Sequence, residues 1–198
     1  MKQKERQTLP RVEAIVIGAS AGGVGALLKL LPGLPAGFRP PILTVLHLAP
    51  QYESRLGPLL RPRVHLRVLE ARDKEPIEDS TIYVPVADHH LSVESDRSLS
   101  FSGEAPVSFA RPSIDVLMAS AADAYGPALA GVLLSGANMD GAQGMAAIKS
   151  RGGLTIVQDP AEAEAPTMPK AAIALCAPDF ILPLAGIHEL LLKLGEQP

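Results

Sequence analysis

One cysteine and no tryptophan occur in the 198 residues, and aromatic residues make up only 4%. A lone thiol excludes an internal disulfide framework and any multi-cysteine zinc site. Cys176 stands between Leu175 and Ala177 and reads as a small buried hydrophobe. So few rings argue against a base-stacking platform. Neither sign of charge dominates: 18 basic and 21 acidic residues leave a formal net charge of −3, with no electrostatic footprint for nucleic acid. No apolar run approaches the ~20 residues that span a bilayer. Met1 to Gln7 is polar and is followed by no signal-like apolar stretch. These absences predict a soluble, cytoplasmic chain without nucleic-acid partner or membrane insertion.

Cofactor motifs are also missing. The turn "GASAGG", residues 18 to 23, has Ser20 where a dinucleotide fingerprint needs glycine, and no Asp or Glu occurs between Gly23 and Glu53 to take ribose hydroxyls. No Gly-Lys dipeptide exists for a P-loop, and no tyrosine is followed four residues later by lysine. Asp88-His89-His90 carries metal-ligating residue types, but successive strand residues face opposite ways, so both imidazoles rarely meet one ion. No cofactor and no metal are expected.

What is present is apolar bulk, 47% of the chain, enough for one core. A charged flexible tail over residues 1–11 and one domain over 12–198 are expected. Continuous apolar runs at 13–17, 42–46, 128–136 and 154–158 read as strands covered on both faces, and 64–70 as another. Helical stretches follow at 24–31, 113–124, 141–150 and 187–194, with Ser113 as a cap and Asp115 in the first turn. Residues 80–103 lack helical period and read as antiparallel strands. The whole predicts an α/β fold: a doubly wound, mostly parallel sheet with helices on both faces and a small antiparallel segment.

Gly18-Ala19-Ser20-Ala21-Gly22 fits G-x-S-x-G between a strand and a helix, a turn that lifts a serine clear of the sheet edge. The same turn equally fits a serine that caps the helix, and the pattern alone does not choose. A nucleophilic serine needs a base and an orienting acid. His47 directly follows the 42–46 strand, at the edge where open α/β sheets gather their sites; a loop histidine satisfied by backbone fits that position too. Asp140, in "LLSGANMDGAQGM", is the acid favoured by spacing, with a helix N-cap as its alternative. Asp159 precedes a proline and fits a turn.

Seven stretches occur together and in order: "IGASAGG", "VLHLAP", "EARDKEPIEDSTIYVPVADHHL", "RPSIDVLMASAA", "VLLSGANMDGAQGM", "GGLTIVQDP" and "MPKAAI". In this the chain resembles the CheB-type catalytic domain, the protein-glutamate methylesterase of bacterial chemotaxis, from Val12 to Leu194. The resemblance implies a serine hydrolase with Ser20 as nucleophile, His47 as base and Asp140 as orienting acid. It also implies a methylated chemoreceptor or another methylated signalling protein as substrate, with possible deamidation of glutamine. Backbone N–H groups of Ala21 and Ala137 are the candidate oxyanion donors. Both positions depart from the family, which often has threonine and methionine there. Chemotaxis members usually carry a receiver domain, which eleven tail residues cannot supply, so a free-standing catalytic domain is expected, open or governed by a separate regulatory protein. Two other readings keep the fold: a catalytically silent module that binds receptor or kinase, and an esterase for a small-molecule ester.

Overall fold

The computed structural model describes residues 9–47 and 56–196. Most of the expected tail lies outside these residues. Among the described residues, seven strands form one parallel sheet: β1 (Ala14–Ala19), β2 (Ile42–Leu46), β3 (Arg67–Glu70), β4 (Thr81–Val84), β7 (Leu129–Leu133), β8 (Leu154–Gln158) and β9 (Phe180–Leu182). Their order is β3-β4-β2-β1-β7-β8-β9, every pairing parallel. Two further strands, β5 (His90–Val93) and β6 (Leu99–Ser102), form a separate antiparallel pair.

The helices cover both faces. Along β1, Ile15, Ile17 and Ala19 enter one apolar cluster, with α1 (Gly23–Leu30), α2 (Leu56–Leu60) and α6 (Leu184–Gly195). Ala14 and Val16 enter the other, with α3 (Ile114–Tyr125), α4 (Ala142–Ser150) and α5 (Thr167–Cys176). Side chains alternate across a strand, so a strand buried on both faces reads as a nearly continuous apolar run. Its polar exceptions find partners inside, as Thr44 Oγ1 does by donating to the Tyr83 carbonyl at 2.9 Å. Among the described residues no helix is long and apolar enough to cross a membrane.

The doubly wound expectation holds, with local corrections. Residues 80–103 are not antiparallel throughout: Thr81–Val84 joins the parallel sheet between β3 and β2, buried at all four positions. Only residues 90–102 form the hairpin. The strand expected from residue 64 starts at Arg67, after the turn that follows α2. Helix α5 and strand β9 were not legible, because α5 buries few side chains and β9 is three residues of half-covered edge. Cys176 is half-buried at the end of α5 rather than a core residue.

The last strand residues of β1 and β2 are register partners, Ala19 opposite Leu46, and β7 pairs with β1 on its other side. The chain therefore leaves three adjacent strands at one sheet edge. Ser20 and His47 are the next residues after β1 and β2, and the β7–α4 connection carries Asp140 to the same edge.

Candidate active site

Ser20 sits where β1 turns into α1. Its backbone amide donates to the Ser135 carbonyl at 2.9 Å, and its carbonyl accepts from Gly23 at 2.8 Å. The residue that caps α1 is Gly22, in the left-handed region at φ 76, and no side chain caps the helix. The capping alternative for Ser20 is thus not the one adopted. Glycine is required at position 22: besides its φ, a Cβ there would stand 2.8 Å from Glu164 Cβ. Ser135 secures the turn from beneath, its hydroxyl donating to the Ala21 carbonyl at 2.7 Å and accepting from the Ala165 amide at 2.8 Å. Buried Gln158 accepts from the Ser135 amide at 2.8 Å.

His47 lies beside this turn, and its amide donates to the Ala19 carbonyl at 3.2 Å. Its side chain is 11% exposed, and Nε2 lies 2.7 Å from Asp140 Oδ2. A carbonyl-satisfied loop histidine would look different. Nε2–H donates to the carboxylate, and Nδ1 meets no partner among the described residues.

Asp140 is completely buried. It does not cap its own helix; Gly141 occupies that position in α4 with no side-chain cap. It is instead gripped by the start of α3. Oδ1 accepts from Ser113 Oγ at 2.8 Å and from the Asp115 amide at 3.1 Å, while Oδ2 accepts from the Ile114 amide at 2.7 Å besides His47. A helix N-terminus offers free amides and a positive dipole end, which suits an anion. Burial alone would push the Asp140 carboxyl up; the hydrogen bonds from His47, Ile114, Asp115 and Ser113 outweigh it and hold the group below the ordinary carboxylate range. The grip is reciprocal, because Asp115 accepts from the Gly144 amide of α4 at 2.7 Å. Burial, with the Asp140 charge adding to it, pushes Asp115 up to about 6 against the Gly144 and Gly141 amides.

A cavity of about 150 Å³ opens beside His47, lined among others by Asp88, Phe109, Arg111 and Asn138. Arg111 braces its wall, its Nε donating to Asp88 Oδ1 at 2.9 Å and its Nη1 to the Gly103 and Glu104 carbonyls. The amides of Ala21 and Ala137 meet no acceptor among the described residues. Asp159 and His188 lie elsewhere. Asp159 closes a turn by accepting from the Ala161 amide at 2.8 Å. His188 on α6 faces the Leu30 carbonyl at 2.8 Å. Asp88, His89 and His90 diverge, and among the described residues no group of three or more His, Cys, Asp or Glu could hold a metal ion.

The structure thus pairs the His47 imidazole with a buried carboxylate at 2.7 Å, on the strand end next to the one that carries Ser20. A family model described as CheB methylesterase matches residues 15–191. The chain is a member of the CheB methylesterase family. An Anaeromyxobacter dehalogenans protein named protein-glutamate methylesterase/protein-glutamine glutaminase 2 is 40% identical over 93% of this chain and 54% of its own length. A Leptospira interrogans protein that bears the same activity name provisionally is 44% identical over 93% of this chain and 95% of its own length. The crystal structure of the Thermotoga maritima CheB methylesterase catalytic domain superposes with a TM-score of 0.88 at 30% identity, covering 93% of this chain and all of that one. Residues that sequence reasoning missed in this family member are Ser113 as a direct Asp140 donor, and Ser135 with Gln158 under the Ser20 turn. Ser113 was legible only as a cap; Ser135, inside the run at 128–136 read as strand, carried no signal of its own.

Proposed function

We propose that the chain is a serine-dependent protein-glutamate methylesterase. It removes methyl esters from glutamate side chains of methylated signalling proteins such as chemoreceptors, and by the same route deamidates glutamine side chains. The observation that carries this reading is the buried Asp140 carboxylate at 2.7 Å from His47 Nε2, one strand end away from Ser20. The names of the relatives support the substrate class.

With Nε2 committed to Asp140, Nδ1 is the nitrogen that takes the Ser20 hydroxyl proton. Ser20 Oγ attacks the side-chain ester carbonyl, and the resulting oxyanion is held by the Ala21 and Ala137 amides and by the positive end of α1. The imidazolium, stabilised by the Asp140 charge, gives its proton to the methoxide, which leaves as methanol. Water, deprotonated by His47, then cleaves the glutamyl-serine ester and restores Ser20. The net change is ester plus water to carboxylate plus methanol. Alanine at 21 and 137 keeps the backbone donors and removes any side-chain help at those positions.

Methanol release from methylated chemoreceptor, with simple methyl esters assayed beside it, tests the reading. Wild type should release methanol from the receptor, and Ser20→Ala should fall to background. A Ser20→Ala protein that keeps its activity overturns the mechanism. A wild type that binds receptor and releases nothing favours a silent binding module, and turnover of simple esters alone favours a small-molecule esterase.

A further inference from the structure

The Asp88-His89-His90 stretch has no part in the reaction as described, yet His90 is 1% exposed with both ring nitrogens engaged. The backbone amide of Ser113 donates to His90 Nδ1 at 3.2 Å, so Nδ1 carries a lone pair. Nε2 therefore carries the proton and donates to the Ala105 carbonyl at 3.1 Å. Its neighbours turn away: Asp88 pairs with Arg111, and His89 is exposed against the Ala87 carbonyl. The histidine inside the pair is thus a neutral bridge between the loop before Pro112 and the first turn of α3.

Ser113 is the residue that this bridge holds. It is the N-cap of α3 and the first of three consecutive residues whose donors grip Asp140. Its amide is one of those a helix start leaves unpaired, and the imidazole supplies the acceptor. Asp140 Oδ2 serves the Ile114 amide and His47 Nε2 at the same 2.7 Å, so a shift of this turn draws the carboxylate off the imidazole.

We propose that His90 is a positioning residue of the hydrolase: as a neutral Nε2–H imidazole it fixes the Ser113 amide, and with it the donors that aim Asp140 at His47. The inference rests on reading Ser20, His47 and Asp140 as one proton-passing chain.

Three variants separate the two bonds. In His90→Asn the side-chain oxygen takes the place of Nδ1 and keeps the Ser113 bond. In His90→Gln the amide nitrogen takes the place of Nε2 and keeps only the Ala105 bond, and His90→Phe keeps neither. Methanol release is measured for each beside wild type and Ser20→Ala, with circular dichroism reporting the fold. The expected result is a kcat for His90→Asn within roughly threefold of wild type. His90→Gln and His90→Phe should lose roughly 10- to 100-fold in kcat with KM unchanged, the scale of a misplaced catalytic geometry. Equal activity in the Asn and Gln variants, or a change in KM alone, overturns the proposal. In the wild-type protein, imidazole nitrogen shifts at neutral pH should show His90 as the Nε2–H tautomer; an Nδ1–H form overturns the proposal whatever the variants do. An active Ser20→Ala removes the triad reading and this inference with it. An inactive Ser20→Ala beside fully active His90 variants removes this inference alone.

Discussion

Asp140→Asn is the substitution for which the structure gives the sharpest forecast. The carboxylate is fully buried and accepts four hydrogen bonds, two on each oxygen. Asparagine must place its NH2 at one of those two sites. At the Oδ2 site it would face the Ile114 amide, a donor, and would force His47 into the Nδ1–H tautomer that cannot take the Ser20 proton. At the Oδ1 site it faces the Ser113 hydroxyl, which can rotate to accept, and conflicts only with the longest bond, the 3.1 Å contact from Asp115. The second orientation has fewer conflicts, so His47 keeps its tautomer and loses only the charge behind it. A hydrogen bond to a charged group is worth about 1.5–3 kcal/mol, which predicts a roughly 10- to 100-fold fall in kcat. A flipped tautomer in serine proteases costs about 10⁴-fold, well above that range. Steady-state methanol release gives kcat, and imidazole nitrogen shifts give the His47 tautomer. A kcat within threefold of wild type would refute the role of Asp140. A loss near 10⁴-fold with an Nδ1–H His47 would refute the orientation argument.

Asp115→Asn should change stability with pH. A carboxyl raised to about 6 by burial and the nearby Asp140 costs stability once ionised. That cost is absent below about pH 4, grows up to pH 6 and persists above it, at no more than about 3 kcal/mol. The asparagine oxygen can still accept from the Gly144 amide, so in urea unfolding the variant should exceed wild type at pH 8 and match it at pH 4. A difference independent of pH contradicts the assignment. Gly22→Ala forces alanine into a φ of 76 with Glu164 Cβ at 2.8 Å, so about 1–3 kcal/mol of stability should be lost and kcat should fall with it. An unchanged melting temperature would show that the turn does not need glycine.

The strands buried on both faces were legible because their apolar runs are short, rich in β-branched residues and bounded by turn residues. Thr81–Val84 was misassigned because its neighbours in sequence form the hairpin, and four residues carry too little pattern to separate the two. The three strand-end residues Ser20, His47 and Asp140 stood out by position, but each had a bland alternative that spacing could not remove. The alternatives fall only when tertiary partners are visible: Gly22 rather than Ser20 caps α1, and Asp140 serves α3 rather than its own helix. Ser113 and His90 were hidden for the same reason, since a side chain that supports another across 23 or more residues leaves no local signature.

The most direct test of the central claim is covalent. A fluorophosphonate probe, followed by peptide mapping, should give a single adduct on Ser20. The adduct should vanish in Ser20→Ala and form far more slowly in His47→Ala. No adduct, or one on a different serine with Ser20 unmodified, would contradict the account.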